Sequence, residues 1–137
     1  MRTVTHKLLA TAAVAVTATL GVAATGTPAF ASTNASVYTT EGHKAGMGNF
    51  AGDASPSSSK ERWNACDHRN DGYWTVTTIS WDGGHKHSVT DKGENDGECK
   101  LRDDVNIPEE KKVTLTVCLQ KGAHGRLKYC KSTTAKA

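Results

Sequence analysis

From Lys112 to Gln120 the chain reads KVTLTVCLQ, and its alternation is strict. On an extended backbone Val113, Leu115, Val117 and Leu119 share one face, while Thr114, Thr116, Cys118 and Gln120 share the other. A helix would scatter those four apolar residues around its circumference, so the segment must be a strand with one face buried. No stretch carries a convincing helical period over ten residues. YWTVTTISW, residues 73–81, is a second strand, dense in aromatic and β-branched residues. It sets Trp74, Val76 and Thr78 against Thr75, Thr77, Ile79 and Trp81, with apolar groups on both faces, which suits one layer of a sandwich. Asp82-Gly83-Gly84 reads as a hairpin turn, because glycine accepts the positive φ that tight turns need. The return strand is 85–90. Residues 60–66 read as a strand entering the domain, and 101–107 as a weaker strand stopped by Pro108. After a turn at 121–125, residues 126–131 form the last strand, followed by a polar tail. The expected fold is all-β: a small two-layer antiparallel β-sandwich, or a partly open barrel.

The chain has four cysteines, Cys66, Cys99, Cys118 and Cys130, and no C-x-x-C pair. An even number without metal-ligand spacing points to two disulfides and away from zinc. The pairing 118–130 is favoured because 113–120 and 126–131 read as neighbouring strands, and it leaves 66–99. Large apolar residues are few, so the fold needs these staples.

The first residues predict a secretory signal over 1–31. Arg2, His6 and Lys7 precede an apolar run from Leu8 to about Ala24, and Ala29-Phe30-Ala31 supplies a small-x-small cleavage pattern. No second apolar run follows, so no membrane insertion is expected once the signal is removed. The full chain has 17 basic and 14 acidic residues. Loss of Arg2 and Lys7 leaves it near neutrality, which disfavours nucleic acid as a partner. The acid-rich 91–110 and base-rich 111–137 can neutralise each other. Residues 32–59, rich in Gly, Ala and Ser, are expected to be loosely structured, with 34–40 as a possible short strand and 51–60 as linker. The β-sandwich domain proper is expected over 60–137.

Several segments together carry a family likeness: GNF followed by GD near residue 50, CDHRNDG at 66–72, GEC at 97–99, VTLTVCLQ at 113–120 and YCKSTTAKA at 129–137. Over about residues 46–137 the chain resembles small secreted actinobacterial β-proteins. That resemblance implies a disulfide-stapled β-sandwich, in a group for most of whose members no activity is established.

Three groups of residues are chemical candidates. Asp67-His68-Arg69-Asn70-Asp71-Gly72 is dense in oxygen donors, but Arg69 occupies a position where an EF-hand needs a ligand, and strand follows instead of helix. It reads better as a turn. His85 and His87, at i and i+2 of a strand, could share a metal ion with Asp82 or His68 as a third ligand. Trp63, Trp74 and Trp81 could offer flat rings to a sugar, although at least two are needed in so small a core. No G-x-S-x-G or H-E-x-x-H occurs, so no catalytic residue is assigned and no cofactor is implied. The expected function is a secreted, non-enzymatic binding module whose partner is an extracellular protein or polysaccharide. The alternatives are an extracellular enzyme inhibitor or antimicrobial toxin, presenting the acidic 91–98 loop, and a small hydrolase such as a nuclease, for which His68, Arg69, His85 and Glu61 could be assembled.

Overall fold

Eight strands follow one another along the chain: β1 (Ala35–Tyr38), β2 (Gly46–Ala51), β3 (Glu61–Asp67), β4 (Tyr73–Trp81), β5 (His85–Asp91), β6 (Lys100–Val105), β7 (Lys112–Lys121) and β8 (Leu127–Lys136). The computed structural model describes residues 33–40, 45–52, 60–93 and 96–137. The expected signal, most of the 51–60 linker and part of the acidic loop lie outside the described residues. The strands make two antiparallel sheets, ordered β1-β2-β3-β6 and β5-β4-β7-β8. Among the described residues there is no α-helix; Asp82–Gly84 forms one 3₁₀ turn, with Gly83 at φ 79° and Gly84 at φ 80°.

The alternation of β7 does what its pattern requires. Val113, Leu115, Val117 and Leu119 are all buried, and the first three join Ile79 and Val89 of their own sheet against Val37, Phe50, Trp63 and Ala65 of the other. The two layers also meet along both sides. On one side Thr40 N donates to Tyr129 O at 2.9 Å and Thr33 N to Lys136 O at 3.2 Å, which joins β1 to β8. On the other, Arg102 of β6 donates through Nη1 to Ser88 O of β5 at 3.1 Å and lays its guanidinium 5.6 Å from the Trp63 ring centre. The result stands between a sandwich and a barrel.

Both expected disulfides form, Cys66–Cys99 and Cys118–Cys130. The first continues the β3–β6 ladder one step past the Ala65–Lys100 pair. The second sits where the β7–β8 register shifts between Val117 and Leu119. There β8 carries one extra residue, a bulge, with Tyr129 in the left-handed region at φ 55°. The Cα separations, 4.4 and 4.1 Å, are those of residues directly opposed across antiparallel strands.

Two expectations need correction. The segment before residue 60 is not loosely held where it is described: β1 and β2 form half of one sheet, and Val37 and Phe50 are buried in the core. The domain therefore begins before residue 60. The polar tail is also strand. Thr133, Thr134 and Ala135 pair with Leu115, Thr114 and Val113, and Ala135 and Ala137 are buried. Small side chains suggested loop in the first place and polarity suggested a tail in the second; at Gly46 and Gly48 small residues are what the close approach of the two layers demands.

Gly46 and Gly48 show how close that approach is. A Cβ on Gly46 would lie 2.6 Å from Thr75 Oγ1, and one on Gly48 would lie 2.7 Å from Thr77 Oγ1. Thr75 and Thr77 are fully buried, and their hydroxyls have no hydrogen-bond partner among the described residues. A buried unsatisfied hydroxyl costs about 1–3 kcal/mol. Thr77→Val keeps the shape and removes the polar atom, so it is expected to raise stability by about 1 kcal/mol. The urea midpoint checks this; a lower midpoint at unchanged slope would mean that the hydroxyl is bonded.

Candidate functional site

The three tryptophans do not share a surface. Trp63 points inward from β3 and is 1% exposed. Trp81 packs against the core from the end of β4, with its ring stacked at 10° on both His85 and His87, centroids 5.1 and 5.5 Å away. Trp74 alone lies on the outer face of its sheet, half-buried, with Lys92 Nζ 5.5 Å from its ring centre. Two of the three indoles thus serve the core, and the expected sugar platform is not assembled from them.

The histidines are also separated. His68 follows β3 beside the start of β4, whereas Asp82 and His85 lie at the far end of β4 and His87 pairs with Ile79 close to that end. Most of β4, nine residues long at roughly 3.3 Å each, stands between them. Asp82 is paired with Lys111 Nζ at 3.1 Å. Among the described residues no three His, Cys, Asp or Glu side chains group as metal ligands. The expectation that His68 could complete a site with His85 and His87 is corrected by the length of β4. The same separation keeps His68 and Arg69 away from His85 and from Glu61, which is buried at the start of β3 and accepts a bond from Ile107 N at 2.8 Å. A nuclease-like constellation of these four is not brought together.

The 67–72 stretch is a turn, as its chemistry implies. Arg69 N donates to Asp67 Oδ1 at 2.8 Å, Tyr73 N donates to Asp71 Oδ1 at 3.0 Å, and Gly72 takes φ 78°.

Among the described residues a recessed surface lies elsewhere, on the outer face of the β1-β2-β3-β6 sheet. Strand register aligns Ser36 with Asn49, Asn49 with Asn64, and Asn64 with Leu101, one residue from each strand. Ser36 Oγ donates to Asn49 Oδ1 at 2.6 Å, and Asn49 Nδ2 donates to Asn64 Oδ1 at 2.9 Å. The backbone N of Asn49 also donates to Asn64 Oδ1, at 3.2 Å. These bonds fix the side chains in a row. The neighbouring row holds Ala51 beside Arg62. Ala51 ends at Cβ, and Phe50 and Trp63 turn inward, so the surface between the rows is hollow. The hollow measures about 260 Å³ and is lined also by Asn34 and Leu101. Leu101, 51% exposed, adds an apolar wall.

The outer face of the other sheet is flatter and rich in hydroxyls. Thr78 bonds Ser88 and Thr116 bonds Ser132, each at 2.8 Å between hydroxyl oxygens. A shallower hollow of about 310 Å³ opens at its end, lined by Ser80, Trp81, Asp82, Lys112 and Thr114.

None of the amide-row residues stood out in the sequence. Asn34, Asn49 and Asn64 are ordinary polar positions until register places Asn49 and Asn64 side by side, and no local pattern carries that information. Comparison with known proteins adds no further constraint: no protein-family model, no curated protein and no solved structure matches this chain.

Proposed function

We propose that the protein is a secreted, non-enzymatic binding module that holds a polysaccharide chain in the groove across β1, β2, β3 and β6. The observation that carries this reading is the row Ser36–Asn49–Asn64, locked by interstrand hydrogen bonds beside an exposed leucine. A side-chain amide offers a donor and an acceptor together, which suits adjacent sugar hydroxyls. Leu101 offers an apolar wall for the C–H face of a ring. Holding the amides in place before binding reduces the ordering cost that weak sugar contacts must overcome. A mature chain near neutrality fits a neutral polymer better than a polyanion. Two disulfides agree with an extracellular setting, and no helix among the described residues is long and apolar enough to cross a membrane.

The test is depletion of the protein from solution by insoluble chitin, cellulose and peptidoglycan. One of them is expected to retain it. Arg62→Ala and Leu101→Ser are both exposed changes, so they should fold normally and yet weaken retention at least tenfold, about 1.4 kcal/mol. Retention by none of the polymers, or retention that ignores both variants, would sink the proposal. One-to-one inhibition of an extracellular hydrolase would favour the inhibitor reading, and digestion of RNA, DNA or casein the hydrolase reading.

A further inference from the structure

A second site is suggested at the opposite end of the molecule from His85, where β3 ends, β4 begins and β5 ends. The inward alternation of β3 runs Trp63, Ala65, Asp67, and that of β5 runs His87, Val89, Asp91. Each strand thus finishes its core face with an acid instead of an apolar residue. Asp67 is 5% exposed and Asp91 4%. They lie side by side, with Asp67 N donating to Asp91 Oδ2 at 2.8 Å. Asp67 Oδ1 is occupied by Arg69 N, but Asp67 Oδ2 is buried and has no hydrogen-bond partner among the described residues.

Backbone packs closely against that oxygen. Gly93, at φ 77°, stands opposite, and a Cβ on it would lie 2.9 Å from Asp67 Oδ2 and 2.4 Å from the Tyr73 carbonyl oxygen. The two oxygens therefore converge, and only glycine leaves them room. Asp71 adds a further negative charge nearby, and burial together with Asp71 and Asp91 raises the Asp67 carboxyl above its ordinary range. Two carboxylates this close, both shielded from water, repel each other unless something positive joins them.

We infer that Asp67, Asp91 and the Tyr73 carbonyl bind a calcium ion at this end of the sandwich. All the donors are oxygen, which suits a hard cation. Calcium takes 6–8 oxygens and accepts backbone carbonyls and water among them, so two carboxylates suffice as the charged part of the set. The role is to close the open end of the core, independently of the groove.

The experiment uses the oxidised protein after chelation with EGTA, titrated with CaCl₂ and, in parallel, TbCl₃. At tenfold excess over Kd, calcium should raise the thermal midpoint by about 5–10 °C. Terbium should luminesce when Tyr73 or Trp74, which adjoin the site, is excited, and calcium should quench that signal by displacing it. Asp67→Asn and Asp91→Asn should abolish both responses while remaining folded, since each removes one of two repelling charges; in EGTA their midpoints should match or exceed that of the parent. The inference is overturned if calcium moves no midpoint and terbium gives no sensitised emission. It is equally overturned if the variants respond like the parent. A third overturning outcome is that Asp67 holds a proton instead. Burial raises its affinity for one, so stability in EGTA would then rise as pH falls from neutrality toward the ordinary carboxylate range, and calcium would have no effect.

Discussion

Replacing Cys66 and Cys99 together by serine is expected to remove about 3–4 kcal/mol of stability, as measured by urea unfolding. The bridge spans 33 positions and encloses the whole β4–β5 hairpin. Its entropic weight is therefore larger than that of Cys118–Cys130, which spans 12. The local structure widens the difference. β6 is an edge strand whose residues are mostly exposed, and it pairs with β3 through a short ladder broken by a bulge. Without the bridge it is held by that ladder, by Arg102 through Trp63 and Ser88 O, and by the buried Val105 and Ile107, the latter bonded to Glu61. β7 and β8, by contrast, are paired along nearly their full length. Breaking Cys118–Cys130 should therefore cost less and leave β8 largely attached. Typical domains hold 5–15 kcal/mol in total, so the loss of the first bridge approaches the threshold of folding. Equal midpoints for the two double variants would show that the β3–β6 ladder holds β6 without help.

The strands that were legible in the sequence are those whose signal is local. β4 and β7 announce themselves by period-two alternation and β-branched content, and the Asp82-Gly83-Gly84 turn by its glycines. The disulfide pairing was legible because one pair falls on two strands adjacent in sequence, and the other follows by elimination. What was hidden depends on partners distant in the chain. β2 is built from Gly46, Met47, Gly48 and Asn49, a composition that locally favours loop; it becomes strand because Thr75 and Thr77 of the opposite layer leave room for nothing larger. The end of β8 reads as a tail until Val113 and Leu115 supply its partners. The groove was hidden for the same reason. Register brings Asn49 and Asn64 together across 15 positions of chain, and a single residue's slip would turn both into the core.

Trp63→Ala is expected to be the most damaging single substitution, costing about 3–5 kcal/mol. The indole is among the largest fully buried side chains, and it lies where the two sheets and β6 meet. The His87 ring meets it edge-on with centroids 6.4 Å apart and planes at 70°, and the Arg102 guanidinium covers it from the side. Truncation leaves a cavity that the strand backbones cannot close, because their spacing is set by the ladders. It also removes the surface on which Arg102 rests while that residue bridges β6 to Ser88. The contrast with Trp63→Phe separates packing from polarity. The indole Nε1 is buried without a hydrogen-bond partner among the described residues. Phenylalanine keeps most of the volume and discards that donor, so its cost should stay below about 1.5 kcal/mol. Urea midpoints of the two variants, read at constant slope, measure the difference directly. If phenylalanine proves as costly as alanine, the indole N–H is bonded and the stability of this corner is polar in origin. If alanine costs less than about 2 kcal/mol, the site collapses readily and the two sheets are less tightly spaced than the Gly46–Thr75 and Gly48–Thr77 contacts imply.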